Sequence, residues 1–117
     1  MKTIFSFAAV LVSALTVSSA FAADDIAAGK ALTAKYSCAA CHGANFNTPI
    51  DPSYPKLAGQ HKSYLEYALI GYKRGIGGAN GRGNAIMAGQ VKPLSHQDIK
   101  NIAAYLHSLP GSLVLRK

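Results

Sequence analysis

The sequence predicts an all-α fold of three main helices and two long loops. Three observations carry that prediction. Three segments read as helices, two of them with apolar residues at spacings of three and four. No stretch sustains the alternation of a half-buried strand. Two long connections, one proline-rich and one glycine-rich, separate the helical segments. The chain has 117 residues, half of them hydrophobic, a formal net charge of +7 and two cysteines. That length suits one domain. Two cysteines exclude a multi-disulfide framework, which needs four or more in a short secreted chain, and also a four-cysteine zinc site. The apolar content excludes chain-wide disorder.

Residues 1–22 read as an export signal. Lys2 supplies the positive start, Ile4 to Leu15 the apolar stretch, and Ala20-Phe21-Ala22 an A-x-A cleavage site. The apolar stretch is short against the ~20 residues of a membrane span, so no stable anchor is expected after cleavage. Cleavage after Ala22 gives a mature domain of residues 23–117 in the periplasm, with Met87 its one methionine. In that oxidising compartment an idle cysteine pair becomes a disulfide.

The first helix runs from about Ile26 to Ser37, with Asp24 or Asp25 as its cap. Gly29 inside it lowers helix propensity and points to close packing. The second runs from about Gln60 to Lys73 and places His61, Leu65, Ala68, Leu69 and Tyr72 on one face, with Gly75 ending it. The third is the clearest. Ser95 and Asp98 form a capping-box pattern, Ile99, Ile102, Ala103 and Leu106 an apolar stripe, and Pro110-Gly111 a stop. The loops span Gly43 to Gly59 and Gly75 to Leu94. Irregular connections of that length in a small domain point to function. Three short helices also make a thin core, so something else is expected to fill it. The Leu113-Val114-Leu115 tail reads as a packed or frayed end, with an extra strand as the alternative.

Cys38-Ala39-Ala40-Cys41-His42 is the C-x-x-C-H signature of covalent c-type haem attachment. Two thiols, two residues apart on a helical turn, meet the two vinyl groups on one porphyrin edge. The adjacent imidazole then reaches the iron. The competing readings are weaker. A redox dithiol needs a βαβ setting that is absent. A structural disulfide at this spacing would be strained and staple little chain. Zinc would need two further ligands from His42, His61, His96 and His107 at no familiar spacing. One covalent haem c is therefore expected, and the macrocycle completes the thin core.

Met87 is the leading candidate for the other face of the iron. Its loop is rich in glycine, which permits close approach to a ring, and has little apolar pattern beyond Ile86 and Val91. The simpler role of a lone methionine is filling a core gap. His61, His96, His107 or an open site remain the alternatives.

With these motifs in order, the chain resembles the class I cytochromes c, and more closely the small periplasmic bacterial members related to each half of the tandem dihaem cytochromes. Cys38 to Gly43 matches the family's C-x-x-C-H-G, and Pro55-Lys56-Leu57-Ala58-Gly59-Gln60 its P-x-L-A-G-Q stretch. Tyr64-Leu65, Leu69, Tyr72-Lys73 and Gly75 match the following helix. Met87, Leu94-Ser95, Asp98-Ile99 and Ala103-Ala104-Tyr105-Leu106 match the ligand loop and last helix. The resemblance implies a class I cytochrome c fold around one haem. It implies that the Pro55 carbonyl accepts the imidazole N–H of His42, that Leu57 packs beside the ring, and that Gly29 lies where the first and last helices cross. Asn84 becomes a candidate donor near a haem carboxylate or the thioether, against its simpler reading as a polar loop residue. Ala44 to Pro49 and Asp51 to Tyr54 depart from the family pattern and read as an insertion on a partner-facing edge.

With His42 and Met87 on the iron, the resemblance implies a closed site that exchanges one electron and catalyses nothing. The expected role is a periplasmic electron carrier. The alternatives are a fixed cytochrome subunit of a periplasmic dehydrogenase complex, and a haem peroxidase or sensor with an open site. Lys56, Lys62, Lys73, Arg74, Arg82, Lys92 and Lys100 flank the predicted haem segments. They suit redox protein partners with acidic docking surfaces, or else simply keep the surface solvated. Export argues against nucleic acid as the partner of these charges. Oligomeric state is left open by the sequence.

Overall fold

A computed structural model describes residues 24–113. The predicted export signal and most of the Leu113-Val114-Leu115 tail lie outside the described residues. Helices α1 (Ile26–Lys35), α2 (Ala39–His42), α3 (Lys62–Arg74), α4 (Ala85–Val91) and α5 (His96–Ser108) follow in order, and no strand occurs among the described residues.

Asp25 caps α1, its side chain accepting from the Ala28 N–H at 2.9 Å. The Asp25 N–H in turn donates to Asn101 Oδ1 at 2.9 Å, so a buried side chain of α5 fastens the start of α1. α1 ends at Lys35, two residues before the expected Ser37. Ser37 has φ 52°, a left-handed conformation that a right-handed helix cannot contain. Cys38 N–H donates to Thr33 O at 3.0 Å, and the chain turns into the single turn of α2. This break redirects the cysteine motif away from the α1 axis.

α3 begins at Lys62, later than expected, with His61 as its exposed cap residue rather than part of the buried face. Gly75, at φ 69°, ends it. α5 matches its pattern closely. The Ser95 side chain accepts from Asp98 N–H, and the Asp98 carboxylate accepts from Ser95 N–H. Ile99, Ile102, Ala103 and Leu106 are all buried. α1 and α5 cross at Gly29, where an added Cβ would stand 2.0 Å from Asn101 O and 2.8 Å from Tyr105 Cβ. α3 packs on α5 and on α4.

Two expectations change. The Gly75 to Leu94 connection is not irregular throughout, because Ala85–Val91 is helical and Val91 is buried in the core. The insertion after Gly43 is not only surface. Phe46 is 4% exposed, meets Tyr105 edge-on at 6.1 Å, and its carbonyl accepts from both Leu57 and Ala58 N–H. Phe46 adopts φ 55°, which aims a loop side chain inward while its neighbours Ala44 and Asn45 stay exposed. Asn47 Oδ1 then accepts from the Ser112 N–H and hydroxyl, tying the insertion to the segment after α5.

Candidate functional site

The site begins at α2. His42 N–H donates to Cys38 O at 3.1 Å, closing one helical turn that holds Cys38, Cys41 and His42 together. His42 is 7% exposed. Its Nδ1 lies 2.9 Å from the carbonyl oxygen of Pro55. A carbonyl only accepts, so Nδ1 carries a proton, and in the neutral ring Nε2 keeps its lone pair. Nε2 has no hydrogen bond among the described residues and is not itself a buried atom: His42 lines the cleft. The Tyr54 ring stands 6.3 Å from the imidazole, tilted by 48°.

Cys38, Cys41, His42, Pro55, Leu57 and Met87 all line one cleft. Its walls are largely apolar, formed by Leu65, Ala68 and Leu69 of α3 and by Ile102 and Leu106 of α5. Polar residues Gln60, Tyr64, Tyr72, Arg82 and Asn84 also line it. The two thiols are not joined to each other. Burial pushes the Cys38 thiol up, which keeps it protonated at neutral pH.

Met87 belongs to α4, not to an irregular loop. Asn84 Oδ1 accepts from the Met87 N–H at 2.9 Å and caps the helix. The cap fixes how the methionine backbone enters the cleft. The alternative histidines lie elsewhere: His61, His96 and His107 are exposed and none lines the cleft. His107 Nδ1 instead lies 2.7 Å from Gln60 O. Among the described residues, no three His, Cys, Asp or Glu side chains converge as a metal site, so tetrahedral zinc lacks its ligands here.

The donor set fits haem c. Two unpaired thiols and a lone-pair imidazole nitrogen, in a mostly apolar cleft that also holds a thioether, match covalent attachment and iron ligation. Sequence reasoning missed α4, although Asn84 before Ala85-Ile86-Met87-Ala88 is a cap pattern. Six glycines between Gly75 and Gly89 masked it. It also missed that Arg82, Tyr64 and Tyr72 share the cleft.

Comparison with known proteins agrees. Residues 26–110 match the cytochrome c family model. The chain is 44% identical over 98 residues to cytochrome c4 of Stutzerimonas stutzeri, covering 80% of this chain and 45% of that one. Cytochrome c-554(548) of Halomonas halodenitrificans is 38% identical over 86 residues, covering 74% of this chain and 98% of that protein. The crystal structure of reduced recombinant cytochrome c4 from Pseudomonas stutzeri superposes with a TM-score of 0.67 at 42% identity, over 78% of this chain and 48% of that chain. The chain thus spans just under half the length of the cytochrome c4 relatives and nearly all of the c-554(548) protein. The helical order, the apolar cleft and the thiol–imidazole turn are those of a class I cytochrome c fold with covalently bound haem c. On all of these grounds the chain belongs to the cytochrome c family.

Proposed function

We propose that this chain is a periplasmic electron carrier whose haem iron is held by His42 and Met87. One observation carries the reading: both residues line the same apolar cleft as the two cysteines, while His61, His96 and His107 do not. Haem c supplies a one-electron couple. The residues of the chain decide that it supplies nothing more. His42 donates from Nδ1 to Pro55, which leaves Nε2 as the ligand nitrogen and raises its basicity. Met87 offers a soft, neutral thioether, which favours the reduced state over bis-histidine ligation. With His42 and Met87 both holding the iron, no ligand position would be left for oxygen, peroxide or substrate. Leu65, Leu69, Ile102 and Leu106 keep water from the ring and favour the less charged reduced centre. The N-terminal export pattern supports the periplasm, and no helix among the described residues is long and apolar enough to cross a membrane.

Positive charge supports acidic redox partners. Part of it is committed within the fold: Lys62 pairs with Asp24 and Glu66, and Lys73 donates to the carbonyls of Lys92 and Leu94. The exposed Lys92 and Lys100 are left as steering charges.

Met87→Ala tests the ligand set. Covalent haem should persist by mass, the weak long-wavelength iron–thioether absorption should vanish, and the reduction potential should fall. An unchanged spectrum would show another ligand. Ready carbon monoxide binding by the ferrous wild-type protein at neutral pH would refute the closed site.

A further inference from the structure

The electron-carrier reading leaves two features without a role: the insertion after Gly43 and the Leu113-Val114-Leu115 tail. The fold brings them together at a second groove beside the haem cleft. Pro49, Pro52, Tyr54 and Pro55 line the groove from the insertion side, and Leu113 lines it from the segment after α5. Tyr54 and Pro55 line the haem cleft as well.

The segment after α5 is fastened before it reaches the groove. A Cβ on Gly111 would stand 2.0 Å from Ala58 O, so only a glycine lets the chain pass this close to the backbone there. The Ser112 N–H and hydroxyl donate to Asn47 Oδ1 at 3.1 Å and 2.9 Å. Lys56 Nζ donates to the Ser112 hydroxyl oxygen at 3.3 Å. These bonds deliver Leu113, half-buried, into the groove. The opposite wall is also fixed. The Asp51 carboxylate accepts from the Ser53 N–H at 2.8 Å, and the Tyr54 N–H donates to Asp51 O at 3.0 Å. Ile50 N–H donates to Cys41 O at 3.1 Å, which ties the insertion to the thiol–imidazole turn. A wall already held in shape loses little freedom when a chain packs on it.

Three arguments choose the occupant. Val114 and Leu115 follow Leu113 directly, so Leu115 stands within about 7 Å of a residue already in the groove. An extended continuation returns Leu115 to the face that Leu113 presents. The proline and tyrosine rings suit an aliphatic side chain, and Asp51, the one acid lining the groove among the described residues, suits the Arg116 and Lys117 that come next. A second copy or another protein would compete with a tethered segment, whose effective concentration is of the order of millimolar.

We propose that Leu115 of this chain's own tail seats in the groove beside Leu113, against Pro52 and Tyr54, and covers the groove side of Tyr54 and Pro55. The Tyr54 ring stands 6.3 Å from the His42 imidazole, and the Pro55 carbonyl accepts the His42 Nδ1–H. The seated tail therefore keeps water from that bond. The proposal needs haem in the cleft, and rests neither on Met87 as ligand nor on the carrier role.

The test is nuclear magnetic resonance on the haem-loaded protein, ferrous and under carbon monoxide. Iron is then low-spin whether or not Met87 holds it. A mixture of isotope-labelled and unlabelled protein separates contacts within one chain from contacts between chains. The Leu115 methyls should show cross-peaks to Tyr54 or Pro52 within one chain. Leu115→Asp, which puts a carboxylate beside Asp51, should speed solvent exchange of the His42 Nδ1 proton about tenfold. Asn47→Ala, which releases Ser112, should speed it less. Cross-peaks between chains would assign the groove to a second copy and overturn the proposal, and so would the absence of any Leu115 cross-peak to the groove. Exchange within about twofold of wild type in Leu115→Asp would refute the cover over His42. Carbon monoxide bound to the wild-type iron would instead refute the closed site and leave the tail's seat standing.

Discussion

Gly29→Ala puts the α1–α5 crossing to the test. By helix propensity alone the change should stabilise α1 by about 1 kcal/mol. The structure demands the opposite sign. The new Cβ would stand 2.0 Å from Asn101 O, 2.6 Å from Asn101 C and 2.8 Å from Tyr105 Cβ. Non-bonded carbon contacts settle near ~3.5–4 Å, so α1 must withdraw by more than ~1 Å. The obstructing atoms belong to the backbone of a buried helix and cannot rotate aside. Overpacking of this kind costs about 1–3 kcal/mol and occasionally more. Withdrawal also stretches the 2.9 Å bond from Asp25 N–H to Asn101 Oδ1, one turn earlier on α1. Losing it adds about 1 kcal/mol. After the propensity gain, the net destabilisation is about 1–3 kcal/mol. For a domain of this size that lowers Tm by about 4–24 °C. Thermal unfolding of the haem-loaded protein, followed by far-ultraviolet circular dichroism, measures it. A Gly29→Ala protein melting at or above wild type would refute the close-crossing argument.

Two further outcomes are expected. The Ser95 backbone N–H and hydroxyl hold the Asp98 carboxyl below its ordinary 3.8. A depressed carboxyl pKa stabilises the fold fully above 3.8, and that contribution fades as pH falls through the lower native value. Asp98→Ala should therefore cost up to about 1 kcal/mol at neutral pH. Denaturant titrations should show the difference from wild type shrinking well below pH 3.8, and a constant difference would remove the ionised carboxylate from the account. Electron transfer to an acidic partner should slow as ionic strength rises. Stopped-flow rates that stay flat with salt would make Lys92 and Lys100 ordinary solvated charges.

The errors in reading the elements have local causes. The end of α1 was misplaced because nothing in Tyr36-Ser37 marks a left-handed residue; Ser37 reaches φ 52° where the chain turns into α2. α4 was hidden because glycine lowers helix propensity on average, whereas Asn84 capping and the burial of Val91 outweigh it at this place. Phe46 was read as part of a surface insertion because its neighbours are polar and small. Its burial depends on the carbonyl bonds to Leu57 and Ala58, which are distant enough in sequence to leave no periodic signal.

The sequence by itself determined the chemistry and the frame. C-x-x-C-H needs only a local turn to pair two thiols with one imidazole, and the α5 capping box and stripe are likewise local. Information carried within a few residues of chain survives without knowledge of the fold. Tertiary structure decided what is assembled across it. Only packing shows that Met87 enters the cleft from a capped helix and that His61, His96 and His107 stay outside. Only packing sets Arg82, on the segment before α4, between two tyrosines of α3. Those relations join segments far apart in the chain. No hydrophobic period encodes them, because they follow from how closely helices can approach where a glycine carries no side chain.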